Sequence, residues 1–325
     1  MRTAHTINER RSRDPRLFTV AVVSLAAMLA IPGYAQKMSP EALVKLHLQA
    51  LTAGVPLPRD QRLDVKGGVS AVTPARAAGL LPGTFRLTSG ATAARLEMHF
   101  GTDLYEGETF TLDGDKVDIA NAQPRTGSRS AVGNFVARNR VIVAEGLIGG
   151  VLNARWPLHD IAARKAKLSY DGLKILSGRE LHRMRYRAKD NQGNLDIELY
   201  FDPATYRHVA TVYATSQSQQ LAATPEMSSQ QADQYFRIEE RFGRFEAVGD
   251  LTVPKSWSLR FERTGNNANE WKYDMAVQTI EVTGPQGPQG GSLTRAASTP
   301  NFQPPTTKAI SSNDVLSELM SEGVR

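Results

Sequence analysis

The stretch 194-NLDIELYFDPATYRHVATVY-213 decides the reading of this chain. Leu195, Ile197, Leu199 and Phe201 alternate with Asp196, Glu198 and Tyr200. That period of two is the mark of a strand with one apolar and one wet face. Asp202-Pro203-Ala204-Thr205 breaks the alternation with turn residues, and a second β-rich run begins. The spacing predicts a hairpin whose apolar face is either plain core or a surface for an apolar ligand.

Working outward, the same period recurs. Phe85 and Leu87 flank Arg86; Leu96, Met98 and Phe100 alternate with Arg95, Glu97 and His99; Phe110 and Leu112 alternate with polar neighbours up to the turn Asp113-Gly114-Asp115. Val117 and Ile119 resume beyond it. Met184, Tyr186 and Ala188 oppose Arg179, Arg183, Arg185 and Arg187. Three last strands are marked by Phe236, Ile238 and Phe242, by Leu259 and Phe261, and by Tyr273, Met275 and Val277. These are half-buried antiparallel strands. Between the last strands and the hairpin, residues 215 to 234 read as a long polar loop or flap.

Two segments have a helical period. Ser39-Pro40-Glu41 is a helix start, with Ser39 as cap and Pro40 at the first helical position. Leu43, Val44, Leu46, His47 and Leu51 form its apolar stripe, and Gly54 is its expected end. The second runs from Ser130 to Leu147, where Val132, Phe135, Val136 and Val143 share a side. It ends in Glu145-Gly-Leu-Ile-Gly-Gly150, read either as an ordinary loop or as a mobile cover.

The ends bound place and partners. Arg10, Arg11, Arg13 and Arg16 precede fifteen almost wholly apolar residues, Leu17 to Ile31, and then Gly33-Tyr34-Ala35. That order reads as a secretory signal peptide over residues 1–35, cleaved after Ala35 and too short to span a bilayer, with an uncleaved anchor as the alternative. The mature chain is therefore expected in the periplasm, not spanning the membrane. With no cysteine, it has neither disulfides nor the acylated cysteine of a lipoprotein. The net charge of +6 includes five arginines and two acidic residues of the first 35, which leaves +3. That is too mild for a nucleic-acid partner. Residues 284–325 are rich in Gly, Pro, Ser and Thr and are expected to be a disordered tail. Within it, Val315, Leu316, Leu319 and Met320 make at most a short amphipathic turn pair, a docking peptide or nothing.

Signs of chemistry are few. No metalloprotease, nucleophile-elbow or P-loop pattern occurs. The six histidines are scattered singly, and His159-Asp160 reads as a solvated loop pair. No metal or cofactor is expected, and the arginine row is read either as a wet face offset by Asp196 and Glu198 or as a face drawn to anionic lipid head groups.

The order of elements, with "LYFDPATYRHVATVY" and "FGRFEAVGDLTVPKSWSLRF" in the second half, resembles the periplasmic lipoprotein-carrier and lipoprotein-sorting family that includes the LolA and LolB proteins. The Asp202-Pro203 turn with Thr205 behind it carries the resemblance, as does Gly249, Leu251, Val253 and Pro254 before a long strand. The resemblance spans about Ser39 to Val282. It implies a mainly β domain over residues 36–283: a half-open antiparallel β-barrel with helices covering its concave face. It implies no catalysis, and lipid or acylated lipoprotein as ligand. The expected lining is Leu96, Met98, Phe100, Met184, Tyr186, Leu195, Ile197, Leu199, Phe201, Leu259 and Phe261. The alternative is an envelope scaffold or sensor that grips a protein partner with the same half-barrel.

Overall fold

In the computed structural model, the described residues are 38–52, 61–73, 79–103, 105–121, 129–189, 194–217, 234–263 and 270–284. The expected signal peptide, Gly54 and the tail from residue 285 lie outside them. Twelve strands alternate apolar and polar residues along most of their length, as a half-buried sheet requires. They are β1 (Arg62–Val72), β2 (Leu80–Ser89), β3 (Ala93–Phe100), β4 (Gly107–Asp113), β5 (Lys116–Asn121), β6 (Lys167–Leu176), β7 (Arg179–Arg187), β8 (Asp196–Phe201), β9 (His208–Gln217), β10 (Gln234–Val248), β11 (Leu251–Arg263) and β12 (Glu270–Thr283).

They form one antiparallel sheet in the order β5-β4-β3-β2-β1-β12-β11-β10-β9-β8-β7-β6. Two meanders, β1–β5 and β6–β12, are each built from chain neighbours. Among the described residues a single long-range pairing joins them, β1 against β12, running from Arg62↔Thr283 to Val72↔Lys272. The sheet does not close into a barrel, since β5 and β6 each keep a free edge among the described residues.

Between the meanders lies a broken helical segment: α2 (Ala131–Arg138), α3 (Val141–Ala144), 3-10 turns at Gly150–Leu152 and Pro157–His159, and α4 (Ile161–Arg164). Ahead of the sheet stands α1 (Pro40–Thr52). Ser39 Oγ accepts from Ala42 N at 3.1 Å, the cap that the sequence signals. The Asp202 turn is built as its residues predict. Asp202 Oδ1 accepts from Ala204 N, Thr205 N and Thr205 Oγ1 at 2.9–3.1 Å, and so fixes the β8–β9 register.

The structure corrects several expectations. β6 has no counterpart in the sequence reading, because its apolar residues are interrupted by Asp171-Gly172, where the register with β7 shifts. The expected loop over 215 to 234 is strand to Gln217 and again from Gln234. The single helix expected over 130–147 is several short pieces. The face of the sheet opposite the helices is also not uniformly wet. Leu181, Tyr200, Val209, Ala210 and Val212 form a second buried cluster, with Leu176 and Phe245 packed on it.

Candidate functional site

The candidate site is the apolar face of the sheet together with the segment packed on it. Alternation puts Val65, Leu87, Leu96, Met98, Phe110, Leu199, Trp257, Leu259 and Met275 on that face, all buried. The helical segment supplies Val132, Phe135, Leu147, Leu152, Trp156 and Leu158, also buried. Contact is direct: the Phe135 and Phe261 rings meet edge to face at 6.2 Å. All eleven expected lining residues are buried. Leu96, Met98 and Phe100 lie on β3. Met184 and Tyr186 on β7, with Leu195 at the head of β8 and Ile197, Leu199 and Phe201 within it, lie toward the other end of the sheet. Leu259 and Phe261 stand between them on β11, so the eleven are spread over one face of the sheet.

The segment reaches this face at glycines. Gly149 and Gly150 have φ of +84° and +50°, the left-handed region open to glycine. A Cβ at Gly150 would lie 2.7 Å from the Phe242 ring, and one at Gly149 would lie 2.7 Å from Leu87 Cδ2. The chain can therefore touch the sheet here only without side chains.

Buried polar bonds hold it there. Glu240 on β10 is fully buried and accepts from Gly149 N at 2.7 Å, Trp257 Nε1 at 2.8 Å and the Tyr213 hydroxyl at 2.9 Å. Burial pushes its carboxyl up to about 7, against which the three donors pull. Glu108 on β4 does the same for α2. It accepts from Ser130 N and, at 2.7 Å, from Ser130 Oγ, and burial pushes it up to about 7 as well. Ser130 Oγ in turn accepts from Gly133 N at 2.9 Å. Further along, Ala154 N donates to Ser89 Oγ at 2.8 Å, and Glu145 receives the Tyr186 hydroxyl at 2.5 Å and Arg164 Nη1 at 3.2 Å.

A third group ties α1 to the rest. His47 Nδ1 lies 3.1 Å from the Tyr206 carbonyl oxygen, and Trp156 Nε1 lies 3.1 Å from His47 Nε2. A carbonyl only accepts and an indole only donates, so His47 is neutral with its proton on Nδ1. Burial holds it down to about 3. His208, 6.3 Å from His47 between ring centres, is also fully buried and held well below the usual histidine range by burial. Its Nε2 meets Thr211 Oγ1 at 2.9 Å.

Two expectations are corrected here. The histidines are not all single, for α1 and β9 bring His47 and His208 together around Trp156. His159 is not solvated but half-buried, held down to about 4 by burial. The arginine row does lie on the opposite face. Arg183 donates to Glu198 at 2.8 Å and Arg179 to Asp202 at 3.1 Å, while Arg183 and Arg185 form ion pairs with Asp171 at 2.9 Å and 2.8 Å. Asp171 and Asp202, not Asp196, complete the set.

Sequence reasoning passed over Glu108 and Glu240, yet both carry a signal. Each stands in the apolar phase of its strand, Glu108 with Phe110 and Leu112, and Glu240 with Ile238 and Phe242. A carboxylate in phase with core residues needs buried donors. Among the described residues no group of three metal-ligating side chains occurs, and no helix is long and apolar enough to cross a membrane.

No protein-family model matches the chain, and no curated protein matches it. Among solved structures it is similar to a LolA superfamily protein from Nitrosomonas europaea, at 9% identity and a TM-score of 0.41, covering 77% of this chain and 96% of that one. It is similar to a DUF1329 family protein from Desulfovibrio piger, at 11% identity and a TM-score of 0.37, covering 76% and 94%. A third likeness is to a putative outer membrane lipoprotein-sorting protein domain from Vibrio parahaemolyticus, at 7% identity and a TM-score of 0.38, covering 75% and 93%.

Proposed function

We propose that this chain is a non-enzymatic periplasmic binding protein that holds a lipid or an acylated ligand against its apolar face, beneath the helical segment. The observation that carries the reading is how that face is covered. A soluble sheet of twelve strands must hide its apolar side. Here, beside α1, the cover is a broken segment of short helical pieces, packed on the sheet by side chains such as Phe135 and brought into backbone contact with it at Gly149 and Gly150. Its attachments include Glu240, Glu108, Ser89 and Tyr186, each a discrete polar bond. Such a cover lifts as a unit when those bonds break, and an acyl chain then replaces its apolar side chains on Leu96, Met98, Phe100, Met184, Tyr186, Leu195, Ile197, Leu199, Phe201, Leu259 and Phe261. Each buried methylene contributes about 0.8 kcal/mol, so a long acyl chain offsets the loss of several such bonds.

The test locks the cover. The chain has no cysteine, so Ser89→Cys with Ala154→Cys makes a lone pair at positions already joined by a 2.8 Å bond. An environment-sensitive fatty-acid probe is titrated into the oxidised and the reduced forms. Uptake in the reduced form, its loss on oxidation and its return with reductant are expected. Equal uptake in both forms overturns the proposal.

A further inference from the structure

The β6 edge carries an observation that the proposed function does not use. Among the described residues it ends the sheet, so its outward backbone groups have no strand partner. Edges of this kind recruit extended chain unless they are protected. The Asp171-Gly172 bulge protects the first half of β6, but Leu173–Leu176 is regular. Two of the large apolar side chains left exposed among the described residues lie there, Ile175 at 77% exposed and Leu173 at 42%. They pair with Glu180 and His182, so both project to the side of the helical cover, at its margin. Lys174 projects to the other side.

The surroundings are cationic. Lys165 to Arg187 holds seven basic and two acidic residues, in a mature chain whose expected net charge is only +3. One of the two acids, Asp171, is already in ion pairs with Arg183 and Arg185. Lys165, Lys167 and Lys174 have no ion partner among the described residues. The edge therefore fits an extended segment with apolar residues on one side and acids on the other.

The chain contains such a segment. In Asp314-Val-Leu-Ser-Glu-Leu-Met320, Val315, Ser317 and Leu319 fall on one side of an extended chain. Asp314 and Glu318 fall on the other, with Leu316 and Met320. We infer that residues 314–320 dock as an added antiparallel strand on the β6 edge of their own chain, with Glu318 opposite Lys174, Leu319 opposite Leu173, and Ser317 opposite Ile175 with Val315 diagonal to it. Reach is sufficient. Thr283 and Leu176 end their strands at the same end of the sheet. β12 and β6 stand six strand spacings apart, about 29 Å around the sheet. Residues 284 to 313 span up to about 100 Å when extended.

The test uses the full mature chain. Zero-length carbodiimide coupling joins a lysine amine to a carboxylate in contact, and peptide mass spectrometry maps the product. A dominant link from Lys174 to Glu318 or Asp314 is expected. In an equal mixture of light and heavy-isotope protein it joins peptides of one isotope only. Ile175→Glu, at a site too exposed to disturb folding, and Leu319→Asp in the segment should each cut the yield several-fold. Both should also speed hydrogen exchange of the outward β6 amides on the order of ten-fold. Links between light and heavy peptides overturn docking on the same chain and place a second copy there. Links scattered over surface lysines, or β6 amides that exchange equally fast in all three proteins, overturn it altogether.

Discussion

Replacing Glu240 with Gln isolates the energetic cost of holding the cover by a buried charge. Glu240 Oε1 accepts from Gly149 N and Trp257 Nε1, and Oε2 accepts from the Tyr213 hydroxyl. In the Gln variant the amide oxygen keeps the first two bonds. The amide nitrogen takes the place of Oε2, and the phenol turns from donor to acceptor. All three contacts survive and only the ionisation is lost. In the parent, burial lifts the carboxyl from 4.5 to about 7. A raised folded value means that this group favours folding fully below about pH 4.5, and that the contribution is lost as pH rises to 7. The loss is about 3 kcal/mol, at roughly 1.4 kcal/mol for each pH unit. His47, His208 and Glu108 also bend the pH profile, but they do so equally in both proteins and cancel in the difference. Urea unfolding at pH 5 and pH 8 therefore compares the two directly. At pH 5 the variant should lie within about 1 kcal/mol of the parent, and at pH 8 it should be more stable by about 2–3 kcal/mol. A variant that is weaker by the same amount at both values would refute the reasoning, because Glu240 would then act by shape alone.

Other outcomes follow from the same packing. Gly150→Ala should cost about 1–4 kcal/mol, since its φ is +50° and its Cβ would lie 2.7 Å from Phe242; thermal unfolding reads this. His47 is held near 3 by burial, so its neutral form favours folding above about pH 6.5, and that contribution falls as pH drops from 6.5 toward 3. His47→Gln should therefore flatten the acid limb of stability between pH 6.5 and 4, as measured by urea midpoints. Gly133→Ala should destabilise α2 despite alanine's helix propensity, because its Cβ would lie 2.3 Å from Glu108 Oε1; urea melts should show a loss of about 1–3 kcal/mol. Exported protein should begin at Gln36, which amino-terminal sequencing checks.

Much of the sheet was legible because period two is written plainly wherever one face is wet. Leu96, Met98 and Phe100, or Leu195 to Phe201, announce their face residue by residue. β6 was not legible, since an edge strand with a bulge needs no clean alternation, and Leu173 and Ile175 are exposed. The helical segment was half legible. Val132, Phe135 and Val136 gave α2, but its later turns are set by packing on the sheet and not by local period. The attachments were hidden for a different reason. Glu240 and Gly149 are distant in sequence, and only the fold shows that a donor waits for the carboxylate. His47 looked like one more polar residue in an apolar stripe until β9 and the Trp156 turn closed around it.

The pairing of β1 with β12 sets the order in which the molecule is completed. Each meander forms from neighbours, but the seam between them waits for residues 270 to 283. A chain threaded through a membrane from its amino terminus exposes Arg62–Val72 long before its partner arrives. Until then β1 has an open edge, and so does β11 once it has formed. Seams that join remote parts of a chain form slowly and expose sticky intermediates. For a chain exported as proposed, assembly thus finishes only once residues 270 to 283 have crossed, and β1 waits with an open edge until then.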